Sequence, residues 1–432
     1  MANNDNLHQA KNAKNDEFYT QFNDIQREIN AYIEYNPDVF RGKTVLCPCD
    51  DPEWSNFTKF FVLNFEYFGL KKLISTSYAI ESKRYKSEWQ PTLFETSHPQ
   101  YDEQKSKVRG KIFVLDHDTK GNGRIDLDDL EWRYLEGDGD FRSAEVSALR
   151  DEADVIVTNP PFSLFREFLA WIREGDVESK SVSLSHIDED TVSQATVLHT
   201  RSGKSKPRQE VVEDSPYPLK RGTPFNDLID LKNFNDINAP SPSHKLFLII
   251  GNMNAITYKE VFPLIKENKI WLGATANASD MVFGVPEGAE VSEKDRAKAA
   301  RLGYVGDYTR LGNSCWFTNM EHGRRHRPMM LMTMKDNLRF NKKMRGKTAY
   351  DRYDNYDAIE VPYTELIPDD YEGVMGVPIS FMDKYCPEQF EIVGWTRHND
   401  LHMDGGYWKG GKPDATVNGK EVYRRILIRK RL

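Results

Sequence analysis

The sequence is poor in cysteine, with four in 432 residues (Cys47, Cys49, Cys315 and Cys386). So few and so scattered, they build no disulfide framework. The one close pair, Cys47-Pro48-Cys49, has no partner pair at zinc-ribbon spacing, so it reads as two small residues ending a buried strand. No metal site is expected. Long apolar runs are missing too: none approaches the ~20 residues that cross a bilayer. Met1-Ala2-Asn3-Asn4-Asp5 lacks the apolar core of a signal peptide, and a cytoplasmic protein is expected. Nor is there an excess of positive charge. The 59 Lys and Arg stand against 67 Asp and Glu, a formal net charge of −8. That argues against a protein that coats nucleic acid indiscriminately, though not against a localised basic face.

What is present reads as α/β. Phe18, Phe22, Ile25, Ile29 and Ile33 have helical spacing between Asp16 and Ile33. Thr44–Cys47 is a buried strand stopped at Pro48, Asn56–Phe68 a helix stopped at Gly69, and Lys72–Thr76 a second strand. Strand, helix, strand within about thirty residues opens a doubly wound sheet. Lys111–Leu115 and Tyr134-Leu135 read as further strands and Ser143–Ala153 as a helix. Val155–Thr158 is an apolar strand, Leu164–Ile172 a helix, and Phe247–Gly251 a buried strand. A helix over Ile256–Asn268 and a strand over Lys269–Leu272 complete the pattern. Residues 173–243 are rich in Ser, Asp, Glu, Thr and Pro without a sustained period, and read as a mobile insertion. Two regions follow: 1–272, and a loop-rich, irregular α+β region over 273–432 with some strands returning to the core.

The strand Val155–Thr158 runs straight into Asn159-Pro160-Pro161-Phe162. In open α/β sheets ligands bind at the carboxyl ends of strands. An aromatic amine is a poor nucleophile because its lone pair is delocalised into the ring. The Asn159 side-chain carbonyl and the Pro160 main-chain carbonyl can each accept one amine hydrogen, localising that pair for attack on a methyl donor. Consecutive prolines fix φ and hold both carbonyls in place. Phe162 offers a face on which an extruded base stacks. A Pro-Pro turn with Asn159 as turn former is the bland alternative. The tetrapeptide resembles the signature of amino-methyltransferases, and the motif's context favours chemistry.

Other segments agree. Gly139-Asp140-Phe141 sits in a Gly-Asp-rich turn with Asp138, ahead of Ser143 as helix cap. Asp16-Glu17-Phe18-Tyr19-Thr20-Gln21 stands near the N-terminus. Together with Cys49–Pro52, Ser55-Asn56-Phe57, Gly251–Tyr258, Met375–Phe381, Asn418–Lys420 and Arg424–Ile428, these blocks resemble the EcoRI-type adenine-specific DNA methyltransferases over nearly the whole chain. The resemblance implies a Rossmann-like, S-adenosylmethionine-dependent methyltransferase domain over 1–272 and a target-recognition region over 273–432. It implies cofactor contacts from Phe18, Tyr19 and Thr20, from Asp138, Asp140 and Phe141 (the Phe packing on the adenine ring), and from Asn159. It also implies a monomer acting on double-stranded DNA in the nucleoid, with any restriction endonuclease encoded separately. RNA or a protein glutamine as acceptor, or an inert DNA-binding module, are the rival readings.

The chain departs from the pattern in two places. A Gly-x-Gly cofactor loop after the first strand is absent, and Cys47-Pro48-Cys49-Asp50-Asp51-Pro52 stands there. With Cys49 beside them, Asp50 and Asp51 either receive an ammonium group or cap the next helix. No acid ends the second strand to hold ribose hydroxyls; Ser75-Thr76-Ser77-Tyr78 does. Asp116–Asp129 imitates a calcium loop, but Lys120 falls on a ligand position, so it reads as a polar turn.

Between residues 310 and 350, ten Lys or Arg face two acids, Glu321 and Asp336. Arg324, Arg325 and Arg327, then Arg339, Lys342, Lys343 and Arg345, interleave with Phe340, Asn341 and His326. Such a mixture can neutralise phosphates and read base edges, so this segment is expected to contact DNA. The final Arg424–Arg431 reads as an edge strand with exposed cations.

Overall fold

The structure, a computed structural model, describes residues 19–50, 55–79, 96, 99–175, 244–275, 281–285, 291–310, 313–396 and 405–431. Residues 1–175 with 245–432 form one compact unit, and 176–244 a second. Phe18, Asp51 and the expected insertion from residue 176 to 243 lie outside the described residues.

The first unit begins with β1 (Tyr19–Thr20), α1 (Phe22–Tyr35), β2 (Thr44–Cys47), α2 (Asn56–Leu63), α3 (Phe65–Phe68) and β3 (Lys72–Ser77). It continues with α4 (Glu103–Val108), β4 (Lys111–Leu115), β5 (Glu131–Tyr134), α5 (Ala144–Glu152), β6 (Val155–Thr158) and α6 (Phe165–Glu174). Then come β7 (Leu246–Asn252), α7 (Phe262–Lys266), β8 (Trp271–Leu272), β9 (Phe283–Gly284), α8 (Glu293–Ala300), β10 (Tyr308–Thr309) and β11 (Ser314–Thr318). Side-chain caps start the helices where the sequence places them: Ser55 Oγ accepts from Phe57 N and Ser143 Oγ from Val146 N.

Eight strands form the main sheet in the order β5-β4-β3-β2-β6-β7-β11-β8. The central β3, β2, β6 and β7 are parallel, and the outer strands run antiparallel to their neighbours. Alternate side chains divide between two cores. Leu46, Ile74, Ile156 and Ile249 pack with Val146 of α5, Phe168 of α6 and Phe262 of α7. Val45, Leu73, Val157 and Ile250 pack with Ile25 of α1 and Phe61 of α2. Helices therefore cover both faces of a mixed α/β sheet, each buried Leu, Ile or Phe stabilising it by roughly 1.5–3 kcal/mol. Strand order runs outward in opposite directions from β2 and β6. That reversal is the switch point at which such sheets bind ligands.

A small antiparallel sheet, β1-β9-β10, pairs Thr20 with Phe283 and both Tyr19 and Tyr308 with Gly284. The helical spacing from Asp16 predicts a helix through Tyr19 and Thr20, but these two residues are a strand and α1 begins at Phe22. Pairing with a partner over 260 residues away overrides the local period, which carries no trace of it.

The remaining chain forms α9 (Met334–Phe340), β12 (Ile359–Glu360), β13 (Met375–Val377), β14 (Phe390–Trp395), the hairpin β15 (Thr416–Val417) and β16 (Lys420–Glu421), and β17 (Ile426–Lys430). Its sheet has the order β12-β13-β17-β14, so β17 is an interior strand and not an edge. Its cations are paired: Arg425 with buried Glu360 at 2.6 Å, Arg429 with Glu391 at 2.7 Å and Lys430 with Asp369 at 2.5 Å. Ile359, Met375, Ile392 and Ile428 belong to the same core cluster as α7, whose Phe262 lies 5.9 Å from the Trp395 ring.

Candidate active site

The carboxyl ends of β2, β3 and β6 meet on one edge of the main sheet. At β6, Asn159 is half-buried, Pro160 buried, and Pro161 and Phe162 half-buried. Pro161 has φ −52° and ψ 124°, the extended proline geometry that carries the chain out of the strand. Both ends of β6 are fastened to β2. Thr44 N donates to Asp154 Oδ2 at 2.8 Å before the strand, and Thr158 Oγ1 donates to Pro48 O at 2.9 Å at its end. The tetrapeptide and the loop after β2 are thus one construction across the switch point.

The loop after β2 turns at Cys49, whose φ of +63° is left-handed. Its N–H donates to Thr76 Oγ1 at 3.1 Å. A residue other than glycine supplies the conformation that a Gly-x-Gly loop usually provides. Buried Asp50 follows. Its Oδ1 accepts from Ser55 Oγ at 2.8 Å, while its main-chain carbonyl accepts from Ser75 Oγ. Ser55 is the helix cap, so Asp50 stands behind the cap and does not replace it.

Gly139, at φ +90°, lies so close to β3 that an added Cβ would be 2.4 Å from Ser77 O. This brings Asp138 and Asp140 to the end of that strand, where Ala79 N donates to Asp138 O at 2.8 Å. Burial works against the charge of Asp140, but Arg142 and the Tyr78 hydroxyl donate to it and hold its carboxyl below the ordinary range. Tyr78 is pushed the other way, by burial first and then by Cys49, Asp140 and Asp138. Its hydroxyl therefore keeps its proton and acts as a donor. Apart from the missing acid at that position, no sequence pattern singles out Tyr78.

Phe141 requires a correction. It is fully buried and packs edge-on against Phe168 at 5.0 Å and Trp171 at 5.5 Å. Its ring anchors the turn to α6 and is not open to a ligand. The motif's two acids face the strand end and its aromatic faces the core.

Tyr19 and Thr20 reach the site through the small sheet. Thr20 O accepts from Asn56 Nδ2 at 2.8 Å, and Phe283, paired to Thr20, sets its ring perpendicular to Phe162 at 6.3 Å. Phe283 had no signal in the sequence. Gly251, which opens one of the resembling blocks, packs here too: an added Cβ would lie 2.4 Å from the Phe165 ring. Around this edge stand carboxylates (Asp50, Asp138 and Asp140), hydroxyl groups (Thr20, Tyr78) and an amide (Asn159). That donor and acceptor set fits an amino acid–nucleoside conjugate.

The calcium-like segment is a polar turn. Asp118 accepts from the N–H groups of Gly121 and Gly123 at 2.6 and 2.7 Å, and Asp129 from those of Thr119 and Lys120 at 2.9 and 3.1 Å. Its carboxylates hold the backbone.

The basic segment splits in two. Arg325 is buried, lies 3.7 Å over the Trp271 ring, and bonds Glu321 and, at 2.9 Å, Asn268 Oδ1. It is removed from the DNA-facing set, since its charge is spent inside the fold. Arg324 is held by Ala274 O at 2.5 Å and Asp383 at 2.9 Å. Arg327, Arg339, Lys342, Lys343 and Arg345 are exposed, Lys343 pairing with Glu365 at 2.5 Å.

A mixed sheet with helices on both faces and an Asn-Pro-Pro-Phe tetrapeptide at its switch point is consistent with a methyltransferase fold. The model of a family described as adenine-specific methyltransferase EcoRI matches residues 6–179 and 241–431. The chain is 34% identical over 426 residues to the Type II methyltransferase M.EcoRI of Escherichia coli, covering 98% of this chain and 96% of that one. It is 27% identical over 431 residues to the Type II methyltransferase M.MpnI of Mycoplasma pneumoniae, and 27% over 430 residues to M.MgeORF184P of Mycoplasma genitalium, covering 98% of both chains in each case. No solved structure matches. The chain belongs to the EcoRI family of adenine-specific methyltransferases, and it is a DNA methyltransferase of the restriction-modification type. No helix among the described residues is long and apolar enough to cross a membrane.

Proposed function

We propose that this protein transfers a methyl group from S-adenosylmethionine to the exocyclic amine of an adenine flipped out of duplex DNA. The observation that carries the reading is Asn159-Pro160-Pro161-Phe162 at the carboxyl end of β6, tied through Thr158 to the loop after β2. The Asn159 Oδ1 and Pro160 carbonyl accept the two amine hydrogens and pull the nitrogen towards tetrahedral geometry. Phe162 receives the base on its face, and the Phe283 ring stands at right angles to it. The bound cofactor supplies a sulfonium-activated methyl group. Asp50, Asp138, Tyr78, Tyr19 and Thr20 are the residues that would hold it, with Asp50 suited to its ammonium and Asp138 to its adenine amine. The transferred proton leaves to solvent, and the chain needs no covalent intermediate.

In this reading 1–272 carries the chemistry and 273–432 the target recognition, with Arg327, Arg339, Lys342, Lys343 and Arg345 on phosphates. The protein works as a monomer, and a nuclease of the same specificity is a separate chain. The test is to map N6-methyladenine in DNA from cells that express the protein. A single recurring sequence context, absent when Asn159→Ala is expressed instead, supports the reading. Unmodified DNA in the wild-type culture rejects it.

A further inference from the structure

Among the described residues, Phe340 is the one phenylalanine left largely exposed, at 62%. A single exposed ring is ordinary on a protein surface; this one is set apart by its rigid mounting and by the cations around it. It does not sit on a loose end. Thr333 Oγ1 caps α9 by accepting from Asp336 N at 3.1 Å, and Met334 N donates to Asp370 Oδ1 at 2.7 Å. Asn337, in the middle of the helix, is buried. Immediately after Phe340 the chain is fixed again: Asn341 N donates to Asn337 O at 3.1 Å, and Asn341 Oδ1 accepts from Lys343 N at 3.1 Å. Met344 is then buried in the main core. Phe340 is therefore the projecting corner of a helix and a following turn that are both anchored.

Its neighbours are cationic. The Arg339 guanidinium lies 5.0 Å from the ring, and Lys342 and Arg345 are exposed on either side of buried Met344. An aromatic ring on a rigid corner, flanked by cations, matches a polyanion with flat, stackable faces between its charges. Extruding a base means breaking stacking, and a side chain that takes the vacated place offsets that loss.

We propose that Phe340 is a wedge that enters the base stack of the duplex beside the flipped nucleotide, with Arg339, Lys342 and Arg345 on the adjoining phosphates. The proposal rests on the reading of the chain as an enzyme of duplex DNA. It adds a residue far along the chain from the tetrapeptide to the positioning of the target.

The experiment uses the full chain and a duplex that carries its mapped methylation site. Methylation by wild type, Phe340→Ala and Phe340→Trp is compared on that duplex and on the same duplex with the target adenine opposite an abasic position. Phe340→Ala is expected to lose about tenfold or more in kcat/KM on the paired duplex but only about twofold on the abasic one, where unstacking is already done. Phe340→Trp, which can still stack, stays within about threefold of wild type on both. Cofactor affinity measured by calorimetry should be equal in all three. Equal losses on both duplexes would assign Phe340 to phosphate contact or to the fold, and no loss would overturn the wedge outright. Dissociation of a wild-type dimer by Phe340→Ala would make a second copy the occupant, also against the proposal. Wild type that binds the cofactor yet methylates no duplex would instead remove the reading on which this rests.

Discussion

The hydroxyl of Thr158 donates to the carbonyl of Pro48 at 2.9 Å, joining the last residue before the Asn-Pro-Pro-Phe tetrapeptide to the loop expected to carry the cofactor. The two residues lie 110 positions apart, and both flank the point where strand order reverses. Thr158→Val keeps the shape and removes the donor, leaving a buried carbonyl without its partner. A stability loss of roughly 1–3 kcal/mol follows. A shift of the tetrapeptide by a fraction of an ångström costs on the order of tenfold in kcat. Thermal unfolding and single-turnover methylation check both, and an unchanged kcat would make the bond purely structural.

Cys49 offers a test by relief of strain. At φ +63° a residue with a Cβ is held in the region natural to glycine. Cys49→Gly should keep or raise stability by up to about 1 kcal/mol, and cofactor affinity should survive. Cys49→Val, branched at Cβ, should lose ~1–3 kcal/mol and weaken the cofactor site. Chemical denaturation with calorimetric binding distinguishes them. If the thiol itself matters, Cys49→Gly will lose affinity without losing stability.

The two halves of the basic segment should respond in opposite ways. Arg325→Ala strips a buried partner from Glu321 and from the Trp271 ring, and a cost of about 3–5 kcal/mol is expected. Where the protein still folds, the salt dependence of DNA binding should not change. Lys342→Ala and Arg345→Ala should leave stability within about 0.5 kcal/mol. Each should lower the slope of log affinity against log salt by about 1.

A pH signature should come from His326, which bonds Glu321 at 3.0 Å and Glu388 at 2.8 Å. Those two bonds outweigh its burial and raise it from 6.5 to about 9. Burial pushes Glu388 up, but the bonds from His326 and Cys386 win and bring it from 4.5 to about 2. A raised histidine stabilises fully below its unfolded value of 6.5, and the contribution fades as pH climbs through about 9. The lowered glutamate stabilises above 4.5 and fades as pH falls through about 2. The stability gap between wild type and His326→Gln should therefore be widest near pH 5–6 and close above pH 9. A gap that stays constant from pH 5 to 10 would mean that His326 acts by packing, on Tyr35, and not by charge.

Local patterns revealed part of the molecule and long-range pairings concealed the rest. Val155–Thr158 is legible because a short apolar run ending at Asn159-Pro160 has few other readings, and Ser143 caps a helix where its spacing says it should; the cap of the helix after β2 is Ser55 and not Asp50. The local period places Tyr19 and Thr20 in a helix, but their strand partners are Gly284 and Phe283. A charge run puts Arg325 on the surface, but its aromatic partner, Trp271, lies 54 residues upstream and nothing in a charge run reports burial. At Phe141 the motif fixes residue type but not direction, and Phe168 and Trp171 decide which way that ring points. At Cys49 the conformation expected of glycine is present without the glycine.

The most direct measurement compares methyl transfer to duplex DNA by wild type and Asn159→Ala, with cofactor affinity determined on the same preparations. If the Asn159 amide grips the target amine, the rate falls by about 10²–10³-fold or more while the affinity for S-adenosylmethionine stays within about threefold. Transfer at near the wild-type rate by Asn159→Ala would contradict the account.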